Sequence, residues 1–311
     1  MNKKIVIGTR GSQLAVTQTE TVAQQIRDAN PDTEVVVTRI VTEGDQNWHV
    51  QLSNIKDIGI FVKELEDALL KGKIDLAVHS LKDVPTIMPP GLYIGAVGER
   101  ADPRDVLISK GQKLADLPHG ARIGSGSMRR AIQVKASRPD IEVLGIRGNV
   151  DTRIRKVTDG EFDGVIGAAA ALKRLGWQDS IIEYLPVDDF LPSVGQGALA
   201  IEGRVGDEKT AAIMEGINHL PTFQCITAER SFLFALGGGC RAPIAALATI
   251  EGSKLYINGL VSNVAGTEIL RDSDSGSIEE AKEIGQRLAQ KLLDTGAGKF
   301  LAELEDYNAN G

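Results

Sequence analysis

The 311-residue chain has few cysteines and histidines and no long apolar run, and each shortage excludes a class of protein. Two cysteines, Cys225 and Cys240, are a poor disulfide framework for this length and suit a reducing compartment. The four histidines are scattered, so no metal-ligand spacing is present and we expect no metal. No apolar run reaches the roughly 20 residues of a spanning helix, and the amino-terminal stretch lacks the apolar core of a signal peptide. We therefore expect a cytoplasmic protein that does not bind membranes.

The charge and size of the chain further limit the kinds of partner that it can bind. A formal net charge of -7 and a pI near 5.3 argue against a nucleic-acid or anionic-membrane surface, because both reward clustered positive charge. The length predicts about two domains, and 42% hydrophobic residues are ample for ordinary soluble cores. Since no long apolar seam demands a partner, we expect a monomer.

The most informative segment is a predicted strand that ends beside a lysine and a carboxylate. The apolar run 74–78 is followed by Lys82, Asp83 and then Pro85. In open α/β sheets ligands bind beyond the carboxyl ends of strands, and a proline keeps the residue before it extended. Asp83 is therefore the first candidate for a reacting group. For an isolated Lys-Asp pair, solvated turn residues are the competing interpretation.

The first hundred residues alternate strand and helix patterns, which is typical of βαβ units. Ser12 stands just before an apolar-periodic stretch and is a predicted helix cap, which puts Arg10 and Ser12 at a helix amino terminus. Such an end favours anions, although capping alone also explains Ser12. The predicted strands are 4–8, 34–41 and 74–79, and the predicted helices are 12–29 and 60–70.

The stretch that follows the first hundred residues also alternates strand and helix patterns, and its loops carry positive charge. Segment 124–130 follows a predicted strand and opens a helix, so backbone N–H groups, hydroxyls and guanidinium groups can converge on one anion. Segment 145–149 repeats that arrangement. Guanidinium groups are the preferred partners of carboxylate and phosphate, so their clustering in a net acidic protein predicts a polyanionic ligand. The arginines concerned are Arg129, Arg130, Arg147, Arg153, Arg155 and Arg174, and the predicted strands are 106–109, 121–124, 142–146 and 164–167.

The last ninety residues change character. Strand patterns at 254–261 and 268–271 precede a helical pattern at 277–293, which predicts a small antiparallel sheet faced by helices. A predicted helix at 227–236 runs into three glycines followed by Cys240, where a bare backbone lets a bulky group approach the thiol. A buried structural thiol is the alternative for Cys240, and no histidine lies near it in sequence to support a catalytic pair. Cys225 has the pattern of a small apolar filler.

Eight ordered segments of the chain resemble the porphobilinogen deaminase (hydroxymethylbilane synthase) family, from about Ile5 to the carboxyl-terminal helix. They are specific in sequence and follow the family's order. These segments are GTRGSQLA (8–15), FVKELE (61–66), VHSLKDVP (78–85), GSGSMRR (124–130), IRGNV (146–150), LKRLG (172–176), VGQGA (194–198) and GGGCRAP (237–243).

The resemblance implies an α/β fold of three domains. Two are type II periplasmic-binding-protein-like α/β domains, and a small α+β domain with an antiparallel sheet follows at the carboxyl terminus. Domain 1 would comprise 1–98 and 198–216, domain 2 would comprise 103–191, and domain 3 would comprise 219–311. The connecting segments 99–102 and 192–197 would act as hinges.

The same resemblance implies a transferase of tetrapyrrole (haem) biosynthesis. The family condenses four porphobilinogen molecules head to tail, with loss of ammonia, on a dipyrromethane cofactor held by a thioether, and then hydrolyses off the linear tetrapyrrole hydroxymethylbilane. Cys240 matches the attachment cysteine, and Asp83 matches the catalytic carboxylate, which we expect to be partly buried. The implied cofactor contacts are Ser80, Lys82, Asp83, Ser125, Ser127, Arg129, Arg130, Arg147 and Arg153. The implied substrate contacts are Arg10, Ser12, Arg147, Arg153, Arg174 and Gln196.

One loop departs from the family pattern. The family usually has a glycine-rich, lysine-bearing loop before Phe61, whereas Asn54 and Ile58 stand at two of the usual lysine positions here. The loop is long enough for a mobile lid that includes Lys56 and Phe61. Because the charge of this loop differs from the family pattern, we expect slower turnover.

Two other functions compete with this interpretation. A non-enzymatic polyanion-binding protein on the same scaffold would have no use for Cys240 or Asp83. A different transferase with Cys240 as nucleophile would form a transient adduct instead of a permanent one. Ammonia release from porphobilinogen separates all three.

Overall fold

The computed structural model describes residues 3–40, 62–237 and 242–310. The predicted lid, with Lys56 and Phe61, and the predicted attachment residue Cys240 lie outside the described residues. By its internal contacts the chain divides into two compact units, Met1–Ala101 with Ala198–Phe223, and Asp102–Gly197 with Gln224–Gly311. Within the described part of the chain, no helix combines the length and the apolar character needed to cross a bilayer.

The described secondary structure alternates strands and helices through the first two hundred residues. The strands are β1 (Lys3–Thr9), β2 (Thr33–Arg39), β3 (Leu76–Ser80), β4 (Leu92–Val97), β5 (Asp105–Ser109), β6 (Arg122–Gly124), β7 (Glu142–Leu144), β8 (Gly164–Ala168), β9 (Glu183–Tyr184), β10 (Leu199–Arg204), β11 (Ile244–Glu251), β12 (Lys254–Ser262) and β13 (Ile269–Ser277). The helices are α1 (Gln13–Ala29), α2 (Lys63–Leu70), α3 (Met128–Ser137), α4 (Val150–Thr158), α5 (Ala169–Arg174), α6 (Glu208–Ile217), α7 (Leu220–Ala235), α8 (Ala281–Leu292) and α9 (Gly298–Asn310).

The first unit is built on a five-stranded sheet with the order β2-β1-β3-β10-β4. Strand β1 is parallel to β2 and β3, whereas β10 is antiparallel to both of its neighbours. Ile5 and Ile7 of β1 pack with α1 and α6 on one face, and the intervening Val6 packs with α2 on the other. This alternation buries both faces of the sheet, as is usual for sheets with parallel strands.

The sheet of the second unit has the corresponding order β7-β6-β8-β5-β9. Here β6 is parallel to β7 and β8, and β5 is antiparallel to β8 and β9. In each sheet the antiparallel strand is the one that follows a crossing of the chain between the units. The two sheets therefore share one mixed topology within an α/β arrangement, which agrees with the two predicted α/β domains.

The rest of the second unit is an antiparallel sheet β11-β12-β13 covered by helices. Its core joins Phe232 of α7, Leu255 of β12 and Leu288 of α8. Gly285 allows α8 to approach α7 closely, since an added Cβ would lie 2.1 Å from the carbonyl oxygen of Ala228. The structure thus contains the predicted α+β region, whereas the proposed boundaries of three domains remain a prediction.

Several element boundaries were predicted wrongly. Strand β13 continues to Ser277, well past the predicted end at 271, because its polar residues pair with β12 along the whole length. Helix α7 begins at Leu220, with Pro221 in its first turn, where proline is tolerated. The predicted helix at 277–293 is shorter, because Ser277 ends β13 and a 3₁₀ turn precedes α8. Strands β4 and β10 and helix α6 were not predicted.

Candidate active site

The turn after β3 presents Asp83 at the carboxyl end of a central strand. Strand β3 ends at Ser80, and a single 3₁₀ turn, Leu81–Asp83, follows at once. The residue before Pro85, Val84, is extended with φ -88° and ψ 125°, which confirms the conformation predicted for this position. The side chain of Asp83 is exposed, which corrects the expectation of a partly buried carboxylate. We call residues 80–83 the Ser80–Asp83 turn.

Helix α1 supports this turn through a residue that the sequence analysis missed. Ser80 Oγ lies 2.9 Å from Nε2 and 3.1 Å from Oε1 of Gln18. Ser12 caps the same helix by accepting the N–H of Ala15 at 3.3 Å, so the predicted cap is confirmed, with half-buried Arg10 just before it. Gln18 is only 4% exposed, and a polar residue on the apolar face of α1 is the signal that could have identified it.

Two strand-to-helix junctions of the second unit have the predicted form. Strand β6 leads through Ser125 and Ser127 into α3, and β7 leads through Arg147 into α4. Ser125 is buried, and its Oγ accepts the N–H of Ser127 at 3.2 Å, whereas Arg147 is exposed. Loop backbone groups therefore stand ahead of both helices, where anions are favoured, and two serine hydroxyls join them ahead of α3.

Arg129 and Arg130 converge on an anion that belongs to the chain itself. Asp105, the fully buried first residue of β5, lies 2.7 Å from Arg129 Nη1 and accepts from Arg130 Nε and Nη2 at 3.0 and 2.8 Å. Burial by itself would raise the pKa of Asp105, but the two guanidinium groups hold it well below its usual range. Burial lowers the pKa of the Arg129 guanidinium group, although the negative charge of Asp105 acts to raise it.

Gln196 joins this buried cluster. Its Nε2 donates to the carbonyl of Pro103 at 2.7 Å and to Asp105 Oδ1 at 2.8 Å, and its Oε1 accepts from Arg130 at 3.2 Å. The structure thereby brings together three predicted site residues around Asp105, which the sequence analysis missed. A charged residue opening an apolar strand, in Asp105-Val-Leu-Ile, was the available signal.

Arg153 and Arg174 differ from these paired arginines. Arg153 Nε donates to the carbonyl of Gly148 at 2.8 Å, and Arg174 Nη2 donates to the carbonyl of Gly197 at 2.7 Å. Neither has a carboxylate within ion-pair distance among the residues that the structure describes. Burial lowers the pKa of Arg174 to about 10, and burial followed by the charge of Arg130 lowers that of Arg153. By contrast, exposed Arg155 pairs with Asp151.

The segment that carries Cys240 is anchored on both sides in one core. Leu236, at the end of α7, and Ala242, before β11, are 3% and 6% exposed and belong to the same hydrophobic cluster. Cys225, in α7, is also buried there, which confirms its prediction as an apolar filler. The position of the Cys240 thiol lies outside the described residues.

The fold and these residues define an α/β protein with anion-receptive loop-to-helix junctions and a carboxylate at a strand end. Residues 5–212 match the family model "Porphobilinogen deaminase, dipyromethane cofactor binding domain", and residues 223–294 match "Porphobilinogen deaminase, C-terminal domain". The chain belongs to the porphobilinogen deaminase family.

Curated relatives and one solved structure are similar to the chain to different degrees. The porphobilinogen deaminase of Geobacter metallireducens is 47% identical over 302 residues, covering 97% of this chain and 95% of the relative. That of Syntrophomonas wolfei is 47% identical over 302 residues, covering 97% and 99%. The solved methionine-binding protein MetQ superimposes with a TM-score of 0.44 at 12% identity, covering 69% of this chain and 88% of that chain.

Proposed function

We propose that the chain is a transferase that condenses four porphobilinogen molecules head to tail on a dipyrromethane primer, releases ammonia, and then hydrolyses off hydroxymethylbilane. The observation that supports this most directly is the pair Arg153 and Arg174. Each is a partly desolvated guanidinium group without a carboxylate partner in the described part of the chain. A ligand that bears carboxylates, as every porphobilinogen unit does, would supply the missing counter-charge.

The donor groups of the second unit fit a dipyrromethane cofactor. Arg129 Nε is buried and lacks a hydrogen-bond partner among the described residues, and the junction hydroxyls of Ser125 and Ser127 stand ahead of α3. These residues, with Arg130, Arg147 and Arg153, would hold the acetate and propionate groups of the cofactor. Ser80 and Lys82 would contribute from the first unit. When bound through a thioether to Cys240, the cofactor supplies the pyrrole carbon that receives the first substrate.

Asp83 is the group that we assign to catalysis. Its exposed carboxylate would accept hydrogen bonds from pyrrole N–H groups and stabilise the positive charge that develops on the substrate methylene when ammonia departs. Fixed negative charge aimed at a developing cation is electrostatic catalysis. Arg10, Ser12, Arg174 and Gln196 would bind incoming substrate, and the segment with Lys56 and Phe61 would close over it.

The setting of this activity follows from the same proposal. We assign the enzyme to the cytoplasm, as a monomer of three domains with hinges at 99–102 and 192–197. The two chain crossings between the sheets supply the covalent connections that such hinges require. Neither nucleic acid nor membrane is part of the proposed activity.

The deciding experiment is the intact mass of the purified, denatured protein beside the Cys240→Ser variant. We expect an added mass of two linked pyrroles on the wild type alone, because a thioether survives denaturation. The wild type should then release one ammonia for each porphobilinogen consumed. A wild type that stays unmodified after incubation with porphobilinogen, and releases no ammonia, would overturn the proposal.

A further inference from the structure

Strand β13 forms one edge of the antiparallel sheet. It spans nine residues, Ile269–Ser277, and pairs with β12 along this whole length. On its other side, the part of the chain that the structure describes places no further strand. An edge of this length presents a row of backbone N–H and C=O groups on which a strand of another molecule can pair. The partners of these groups therefore decide whether β13 is open to association.

Two outward N–H groups in the middle of β13 are bonded to aspartate side chains. In an antiparallel ladder alternate residues bond to the neighbouring strand, and the residues between them point their backbone groups away from it. The N–H of Ser273 donates to Asp272 Oδ1 at 2.7 Å, and the N–H of Ser275 donates to Asp274 Oδ1 at 2.9 Å. Ser273 and Ser275 thus belong to the outward row, and both of their donors are occupied.

The carbonyl groups of the same two serines are bonded to α8. The carbonyl of Ser273 accepts from Lys291 Nζ at 3.1 Å, and that of Ser275 accepts from Arg287 Nη2 at 3.3 Å. Arg287 and Lys291 are about one helical turn apart, so they lie on the same face of α8. Four residues of a helix rise about 6 Å and two residues of a strand about 7 Å, so the two side chains match the spacing of the two carbonyls.

Asp274 holds these two cations beside the strand. Its Oδ2 accepts from Arg287 Nε at 3.0 Å, and its Oδ1 lies 3.4 Å from Lys291 Nζ. The Asp274 side chain is only 12% exposed. Several charges in one network contribute more than an isolated exposed pair, so the basic side chains stay along the edge instead of moving freely in water.

Ordinary surface side chains would leave some of these backbone groups to water. In β13 each of the four central outward groups has its own side-chain partner, from the strand itself for the donors and from α8 for the acceptors. Two residues before Ser273, Arg271 donates to the carbonyls of Asp188 and Asp189, which places that segment beside the start of the strand. Chance contacts of solvated side chains would not follow the outward row in this regular way.

We propose that four side chains close the edge of β13 against a strand of a second copy of this chain: Asp272, Asp274, Arg287 and Lys291. A second copy is the relevant partner, because the same edge of two molecules can pair about a two-fold axis. An added strand would have to displace all four side chains before its backbone could bond to that of β13. The proposal does not depend on the catalytic function proposed above.

Two double variants test the closure by opening the edge in different ways. Asp272→Ala with Asp274→Ala frees the two N–H groups, and Arg287→Ala with Lys291→Ala frees the two carbonyls. The first pair removes negative charge and the second removes positive charge, so an effect that both share is not an effect of net charge. In light scattering after size exclusion, at increasing protein concentration, we expect both variants to reach double the mass of the wild type.

The matched control is Glu283→Ala with Glu303→Ala, which removes two exposed carboxylates from α8 and α9. It changes the net charge as the aspartate pair does, and it should keep the mass of the wild type. A folded edge variant that keeps the mass of the wild type, or a control that associates to the same extent, would overturn the proposal.

Ser275→Pro locates the association. Residue 275 points its N–H away from β12, so a proline there spares the ladder, and sheet edges tolerate proline. Added to the aspartate double variant, it removes a donor that a second strand requires and should restore the mass of the wild type. Dimers that persist would show that another surface associates, and the edge of β13 would no longer be the site.

Amide hydrogen exchange tests the same contacts without association, in dilute protein. The protection factors of the Ser273 and Ser275 amides should fall at least about fivefold in Asp272→Ala with Asp274→Ala, because each amide loses a hydrogen bond to a charged acceptor. The control variant should match the wild type. Equal protection in the aspartate variant and the wild type would contradict the proposal, and this result decides the matter if an edge variant proves too unstable for the mass measurement.

Discussion

Glu229 of α7 accepts a hydrogen bond from the backbone N–H of Gly195 at 2.7 Å through one carboxyl oxygen. Its other oxygen accepts the N–H of Ala248 in β11 at 2.8 Å. The side chain is fully buried, so one residue satisfies two interior backbone donors that lie far apart in sequence. Gly195 immediately precedes Gln196, and Glu229 thereby ties the proposed second hinge to the antiparallel sheet.

Glu229→Ala should destabilise the protein by about 2–4 kcal/mol, because two buried N–H groups lose their acceptor. Urea unfolding measures the change. The same substitution at Glu215, which is exposed on α6, should cost less than about 0.5 kcal/mol. Equal effects for the two variants would show that the Glu229 bridge contributes nothing specific.

Asp105→Asn should cost about 3–5 kcal/mol, because it leaves two buried guanidinium groups without their carboxylate. Asp151→Asn breaks an exposed pair at 3.7 Å with Arg155 and should cost under about 0.5 kcal/mol. Because the pKa of Asp105 is lowered, the difference in stability between the wild type and Asp105→Asn should also depend on pH. The stability that its charge contributes is present above about pH 4 and is lost as the pH falls further, so acid should narrow the gap between wild type and Asp105→Asn. A gap that stays constant down to pH 3 would contradict this.

Asp83→Ala should strongly lower kcat for condensation while leaving the fold unchanged. The side chain is exposed, so its removal creates no cavity, whereas loss of one electrostatic stabiliser typically costs a factor of 10²–10³ in kcat. Ammonia release and urea unfolding are the two measurements. Asp28→Ala, an exposed carboxylate on α1, should keep wild-type activity. An Asp83→Ala enzyme with the kcat of the wild type would refute the assignment.

Arg153→Gln and Arg174→Gln should impair binding of carboxylate-bearing ligands. A charge-assisted hydrogen bond to a carboxylate is worth about 1.5–3 kcal/mol, so KM for porphobilinogen should rise at least about tenfold in Arg174→Gln. Arg153→Gln should also retain less cofactor, as read from the intact mass. Arg155→Gln is the matched control, since Arg155 already pairs with Asp151. Equal losses in Arg155→Gln would mean that net charge, not the unpaired guanidinium groups, governs binding.

Gly285→Ala should destabilise the second unit by about 1–3 kcal/mol, because the new Cβ would meet the backbone of α7 at 2.1 Å. Gly216→Ala in α6 offers the opposite case. No atom lies within 4 Å of the added Cβ, so this helical alanine should stabilise by about 0.5–1 kcal/mol. Thermal unfolding compares them, and a shift of the same sign in both variants would contradict the close contact of α7 with α8.

The sequence by itself determined the features that depend on a few neighbouring residues. Ser12 caps α1, Val84 is extended before Pro85, and segment 124–130 joins a strand to a helix. Steric restriction by proline and hydrogen bonds from a capping side chain act over three or four residues, so their outcome can be predicted without a fold. The eight family segments determined the family for a similar reason, because they require only order along the chain.

Only the tertiary structure decided which distant residues meet. Arg129 and Arg130 contact Asp105, which lies 24 and 25 residues earlier in the chain. Glu229 accepts a hydrogen bond from Gly195. His79 contacts Glu202, although 123 positions separate them. Strand β13 likewise extends through polar residues because β12 offers it a partner along its length. Such pairings follow from sheet order and register, which bring chain segments together irrespective of their separation in sequence, and no local pattern encodes them.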